Sequence, residues 1–186
     1  QADSFISSVP TYWGSQPILE APAYVGASIM FLFILALFVV KGPFKWWILI
    51  SFLLSLALSW GKNFPLLTNL FIDHFPFYNK FRAVSSIQII LEFAVPLLSV
   101  IGLHKFLADA NLKNIKRSFA VYSVPLILLL VLGGSFSYSG LYDDYYSSGY
   151  GQEIFNQIID ERKNIFNSDV IRALIIGVLV FLTLRF

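Results

Sequence analysis

Glu92 is the ionisable residue with the most restricted surroundings, because it lies inside an apolar run from about residue 83 to 103. Polar or helix-breaking residues recur around it every three or four positions, which places them on one helix face: Ser85, Gln88, Glu92, Pro96 and Ser99. A charge near the middle of a bilayer costs a few kcal/mol, so it normally faces other helices or a water-filled cavity. Two interpretations are therefore open for Glu92: a protonated acid bonded to a neighbouring helix, or a residue that lines a cavity.

The connection from residue 61 to 82 contains three basic residues, Lys62, Lys80 and Arg82, and one acid, Asp73. It is too polar to span a membrane and too apolar for a free loop, which predicts a short helix that lies at the interface or re-enters the bundle. Arg82 and Lys80 then lie near the headgroup level, where arginine can bind a phosphate bidentately and helix N–H groups assist. Both residues could equally be ordinary interfacial anchors.

Metal and nucleic-acid chemistry have little support in the sequence. Cysteine is absent, and His74 and His104 are too far apart to form a helical pair. Asp143 and Asp144 could hold a divalent cation, although a solvated acidic turn is the favoured interpretation. The net charge of +2 is distributed among loops and indicates no nucleic-acid partner. We expect no metal and no cofactor.

The elements that position these residues are predicted to be membrane helices. The chain is 57% hydrophobic and 13% charged, which leaves too few charges to cover a soluble protein. The expected fold is an all-α, polytopic integral membrane bundle that follows an extracytoplasmic loop at 1–23. The long apolar runs predict about five spans, at residues 24–40, 44–60, 83–103, 119–136 and 170–186. We expect the chain to be truncated at both ends.

Charge and periodicity give the expected orientation. Cytoplasmic loops carry an excess of Lys and Arg, and the connections at 41–45 and 104–118 are basic. The acidic segment 139–169 and the N-terminal loop are then extracytoplasmic, in a bacterial inner membrane. Within 152–167 apolar residues recur at helical spacing, which predicts an extracytoplasmic amphipathic helix, either on the membrane surface or covering the bundle.

Several separate motifs resemble the YfhO-like family of bacterial membrane proteins. They occur in the order Tyr12-Trp13-Gly14-Ser15-Gln16-Pro17, Leu58-Ser59-Trp60-Gly61-Lys62-Asn63 and Pro76-Phe77-Tyr78-Asn79-Lys80-Phe81-Arg82, followed by Arg162 and Ser168-Asp169-Val170-Ile171-Arg172. That family is similar to GT-C glycosyltransferases, which transfer a sugar from a polyprenyl-phosphate carrier to an extracytoplasmic acceptor. The resemblance implies an internal part that lines the carrier-lipid cavity, with the catalytic acid outside it.

The resemblance makes Arg82 the leading phosphate-binding candidate, followed by Lys80 and Lys62. Gln88 and Glu92 complete the predicted substrate-binding set, and no catalytic residue is assigned. Expected partners are membrane lipids, a polyprenyl-phosphate-sugar donor and the other transmembrane helices of a longer chain. The alternative is a non-enzymatic transporter or lipid-handling protein in which Glu92 couples to protons, and a third interpretation is a membrane scaffold without a ligand.

Overall fold

The computed structural model describes Trp13 and residues 24–80 and 84–185, without the side chains at positions 62, 79, 84, 85 and 150. This part of the chain is helical, with short 3₁₀ segments between several of the helices. Its α-helices are α1 (Ala27–Val39), α2 (Phe44–Ser59), α3 (Pro65–His74), α4 (Gln88–Ala108), α5 (Leu112–Leu132), α6 (Asp143–Tyr150) and α7 (Gln152–Arg185). Apart from Trp13, the predicted N-terminal loop at 1–23 lies outside the described residues.

Among the described residues, three helices are long and apolar enough to cross a membrane, which supports the predicted class of an all-helical membrane protein. They are α4, α7 and α5 with its 3₁₀ extension to Ser135. Helices α1 and α2 are also apolar but have only 13 and 16 residues. A bilayer core of about 30 Å takes roughly 20 helical residues. The predicted number of about five spans therefore stays a prediction.

Helix α7 differs from the two separate elements predicted at 152–167 and 170–186. It is one continuous helix of 34 residues, about 51 Å long at 1.5 Å per residue. The polar residues Ser168 and Asp169 do not interrupt it, because the segment contains no proline and Gly177 is its only glycine. The prediction of a separate amphipathic helix on the membrane surface is wrong for this reason.

The chain forms two compact units. One, here called the bundle unit, contains the described residues from 24 to 122 and from 176 to 185. The other, the clasp unit, contains Trp13 and residues 123–175. Helices α5 and α7 contribute residues to both units, and the internal packing of each unit is described separately below.

In the bundle unit, α1 packs against α4 through small residues. Ser99 Oγ lies 2.9 Å from the carbonyl oxygen of Ile29 and 2.7 Å from that of Val95. Further along, a Cβ added to Gly102 would overlap Ala36. Position numbers rise together in both helices from the first contact to the second, so α1 and α4 run parallel. Small residues at such contacts allow the close backbone approach that holds membrane helices together.

Helix α2 returns antiparallel to α1 and also packs on α4. Ser55 is buried and donates a 2.6 Å hydrogen bond to the carbonyl of Ile87, in the 3₁₀ segment that leads into α4. Ser59 is buried as well and donates to Leu56 of its own helix. Two members of the serine repeat at 51, 55 and 59 are therefore buried, Ser55 and Ser59.

The ends of α5 and α7 that belong to the bundle unit run antiparallel. The rings of Phe119 and Phe181 lie 4.8 Å apart, and one turn further along Tyr122 covers Gly177. Tyr122 also contacts Phe31 of α1 edge-on at 5.5 Å. The start of α5 and the end of α7 therefore lie at the same end of this unit.

Candidate functional site

The basic connection after α2 is folded into short helical pieces and contains the predicted short helix. A 3₁₀ turn at Gly61–Asn63 precedes α3, which begins at Pro65. Proline suits the first helical position because the N–H it lacks would have no partner there. The buried Thr68 side chain donates a 2.8 Å hydrogen bond back to the carbonyl of Gly61 and closes the turn.

Three aromatic rings pack against one another in the second half of this connection. Phe71 stacks on Phe75 at 4.3 Å, and Tyr78 lies 5.4 Å from Phe71. The Tyr78 hydroxyl is enclosed and has no hydrogen-bond partner among the described residues. Burial raises the pKa of Tyr78, because the charged phenolate would lose its hydration. The hydroxyl is therefore a neutral donor at any physiological pH.

Of the predicted phosphate-binding residues, the structure describes the side chain of Lys80 alone. Lys80 is exposed and ends the 3₁₀ segment Tyr78–Lys80, four residues before the next 3₁₀ segment begins at Val84. Arg82 lies outside the described residues, and so does the side chain of Lys62. Within the described part of the chain, Lys80 forms no ion pair.

Gln88 and Glu92 lie at the beginning of α4. Gln88 is the first residue of the α-helix and is partly exposed, while Glu92 is exposed one turn later. The α-helix begins five residues after the predicted start of the span, and its midpoint is Leu98. Glu92 is thus about 6 Å along the axis from the start of the helix and not at its centre. The 3₁₀ segment Val84–Ile87 precedes the α-helix, and the predicted depth of Glu92 near the bilayer midplane stays a prediction.

Exposure of Glu92 bears on its predicted environment. Leu91 is buried at 7% exposure, whereas Phe93, on the other side of Glu92, is 69% exposed. Within the described fold, Glu92 therefore faces away from the helices that cover Leu91. No hydrogen bond or ion pair among the described residues joins Glu92 to Gln88 or Lys80, so the structure does not assemble the predicted set into one contact network.

The clasp unit contains a polar arrangement that sequence patterns did not predict. Arg162 of α7 is only 1% exposed. Its Nη1 donates to both carboxylate oxygens of Asp143, at 3.0 and 3.1 Å, and to the carbonyl of Tyr138 at 2.9 Å. Its Nη2 lies 3.0 Å from Asp143 Oδ1. Charge-assisted bonds of this kind compensate the dehydration of a buried guanidinium.

The loop that supplies these acceptors is held in shape by its own hydrogen bonds. Asp143 Oδ2 accepts a 2.6 Å hydrogen bond from the backbone N–H of Gly140. The Tyr138 hydroxyl donates to the carbonyl of Gly133 at 2.8 Å. Tyr138 has a φ of 47°, a left-handed conformation that is uncommon for a non-glycine residue. These bonds direct its carbonyl toward Arg162.

Aromatic side chains pack around Tyr138. Its ring makes edge contacts with Trp13 at 5.5 Å, Phe166 at 5.8 Å and Phe136 at 6.3 Å. Burial raises the pKa of the Tyr138 phenol. The apolar surroundings strengthen the nearby ion pair by excluding water from it. We call Arg162, Asp143, Tyr138 and these rings the arginine clasp.

The clasp corrects the prediction of a solvated acidic turn at 142–146. Asp144 is exposed, but the Asp143 side chain is only 13% exposed and both of its oxygens are engaged by Arg162. No group of three or more potential metal-binding His, Cys, Asp or Glu residues occurs in the described ranges. The pairing was missed because its partners are 19 residues apart, beyond any helical spacing rule.

Comparisons with known proteins leave the family resemblance as a prediction. No protein-family model, curated protein or solved structure matches the chain. The assignments that depend on the resemblance are therefore taken up below as proposals.

Proposed function

We propose that this chain is part of a GT-C-like membrane glycosyltransferase and that its basic connection binds the phosphate of a polyprenyl-phosphate-sugar donor. The observation that carries this proposal is the exposed Lys80, which follows a packed aromatic segment and precedes the long apolar helix α4. No catalytic residue is assigned within this chain.

The chemistry of a polyprenyl phosphate explains why such a connection suits it. The ligand has a long apolar tail and an anionic headgroup, and it requires apolar surface next to a cation. Phe71, Phe75 and Tyr78 supply aromatic surface, and Lys80 supplies a charge that is free of ion pairs among the described residues. Arg82 follows two residues later and adds a planar group able to bind two phosphate oxygens.

Gln88 and Glu92 are proposed to bind the sugar. Both are at least partly exposed near the start of α4, and they follow Lys80 by eight and twelve residues in the sequence. Amide and carboxylate groups form hydrogen bonds with sugar hydroxyls. Their place before the helix midpoint supports a role next to the headgroup of the donor.

The test is the affinity of the purified protein for a short-chain polyprenyl phosphate. Arg82→Ala should weaken binding about ten- to hundredfold, because hydrogen bonds to charged groups contribute about 1.5–3 kcal/mol. Arg82→Lys should also weaken it, since lysine lacks the planar fork. Lys80→Ala should have a smaller effect in the same direction.

Lys163→Ala is the matched control, because Lys163 is an exposed cation of the clasp unit. It should leave the affinity unchanged. The proposal would be contradicted if the Arg82 and Lys80 variants bound the ligand as tightly as the native protein while retaining its helix content. Both residues would then be ordinary interfacial anchors.

We also propose a bacterial inner-membrane location with the turns after α1 and after α4 in the cytoplasm. Support comes from the parallel packing of α1 and α4, which brings the turn after α1 and the turn after α4 to one end of the bundle unit. Both turns are basic, in agreement with the excess of Lys and Arg in cytoplasmic loops.

A further inference from the structure

One end of the bundle unit collects more than half of the chain's 13 Lys and Arg residues. Four chain segments meet there: the turn after α1, the turn between α4 and α5, the first turns of α5 and the end of α7. We call this surface the basic end, and it contains Lys41, Lys45, Lys105, Lys113, Lys116, Arg117 and Arg185, with Asp109 as the acid among them.

Two independent packing relations place these residues together. The parallel contact of α1 with α4 puts Lys41 and Lys105 at the same end. The antiparallel contact of α5 with α7, through Phe119 and Phe181, brings the end of α7 beside the start of α5. Sequence counting assigns these loops to one side of a membrane, whereas the packing places them on one surface.

The cations of this surface are available to a ligand. Lys105, Lys113 and Lys116 are exposed, and none of them forms an ion pair among the described residues. Lys45 differs, because its Nζ donates to the carbonyl of Leu37 at 2.8 Å and lies 5.3 Å from the centre of the Trp46 ring. Lys45 and the exposed Trp46 have the arrangement typical of a membrane interface.

We propose that the basic end binds the headgroups of anionic phospholipids. Exposed lysines next to the ends of apolar helices lie at the depth of lipid phosphates, and each such cation near an anionic surface adds to the attraction. The charge is concentrated, with one acid, Asp109, to oppose it. This surface is separate from the proposed donor site, which lies at the opposite end of α4.

The experiment measures lipid binding to the purified protein by native mass spectrometry. Phosphatidylglycerol is the anionic probe and phosphatidylcholine the neutral one. The native chain should retain phosphatidylglycerol in preference to phosphatidylcholine. Lys113→Ser with Lys116→Ser should reduce the affinity for phosphatidylglycerol about thirtyfold and leave that for phosphatidylcholine unchanged. Lys113→Arg with Lys116→Arg should bind as the native chain does.

The control removes two exposed cations from the clasp unit, by Lys163→Ser with Arg172→Ser, and should keep the native preference. An equal loss in both serine pairs, no loss in the basic-end pair, or loss in the arginine pair would overturn the proposal. Displacement of phosphatidylglycerol by inorganic phosphate would also overturn it, because the site would then recognise free phosphate and not a lipid. The result is independent of donor binding at Lys80 and Arg82.

Discussion

At the scale of single residues, Asp143 and a backbone carbonyl engage the guanidinium of Arg162 in a nearly water-free position. A buried ion pair can add little compared with two well-packed apolar residues, but the loss of one partner leaves the other charge buried alone. A substitution that removes one partner of the arginine clasp should therefore destabilise the protein more than replacement of both partners.

Arg162→Ala should lower the free energy of unfolding by about 3 kcal/mol, because Asp143 and the Tyr138 carbonyl would lose their donor. Denaturant unfolding followed by circular dichroism measures this change. Arg172→Ala is the control: its pair with Asp169 has side chains 72% and 62% exposed, and such surface pairs contribute about 0–1 kcal/mol. Similar losses in the two variants would contradict the central position of Arg162.

The second prediction concerns the effect of Tyr138 on stability at alkaline pH. Burial raises the pKa of Tyr138 in the folded state. The contribution of Tyr138 to the free energy of unfolding is therefore complete below the unfolded pKa of about 10 and is lost as the pH rises through the folded-state pKa. Tyr138→Phe should cost about 1 kcal/mol at neutral pH, through the lost bond to Gly133, and should make stability less sensitive to pH above about 10.

Stability measured against pH for both proteins tests this prediction. Tyr145→Phe is the matched control, since Tyr145 is 70% exposed and should change neither the neutral stability nor the alkaline slope. A Tyr138→Phe variant with the native alkaline slope would show that other groups control the alkaline transition.

At the scale of elements, apolar run length predicted most of the helices. The runs 24–40 and 44–60 correspond to Ala27–Val39 and Phe44–Ser59 within a few residues. Run length failed where a helix extends beyond its apolar run. Helix α7 is the example, because it begins at Gln152 and continues through polar residues before the apolar run. Run length also did not distinguish the 3₁₀ segment Val84–Ile87 from the α-helix that follows it.

The functional residues were less predictable than the helices. Lys80 could be selected because the connection 61–82 contains three basic residues and one acid. The contact between Arg162 and Asp143 could not be predicted, because it depends on the path of the loop 133–143 and on the left-handed backbone conformation of Tyr138. Local sequence rules describe neighbours along the chain, and this pairing is tertiary.

The contact between α1 and α4 predicts the effect of a single methyl group. Gly102→Ala should destabilise the protein by about 1–3 kcal/mol, because the new Cβ would overlap Ala36. Thermal unfolding in detergent measures the loss. Gly149→Ala, in α6, has open space at its Cβ position and should be neutral or slightly stabilising. Equal melting temperatures for the Gly102 variant and the native protein would show that α1 and α4 are not closely packed.

At the scale of the whole molecule, the proposed topology places the turn between α4 and α5 and the acidic segment near α6 on opposite sides of the membrane. The chain has no cysteine, so labelling of the chain occurs only at a cysteine that is introduced. Asp144→Cys should react with a membrane-impermeant thiol reagent added to intact cells, and Asp109→Cys should react after permeabilisation. Both positions are exposed. The reverse pattern would invert the topology.

The close contact between α1 and α4 also fixes an order of events during synthesis. Ile29 and Ser99 are 70 residues apart, and a ribosome adding about 5–20 residues per second needs about 4–14 s to proceed from one to the other. The hairpin of α1 and α2 thus exists for seconds before α4 is available to it. During that interval α4 does not yet cover the surface around Ala36, and we expect quality-control proteases and insertion chaperones to reach it.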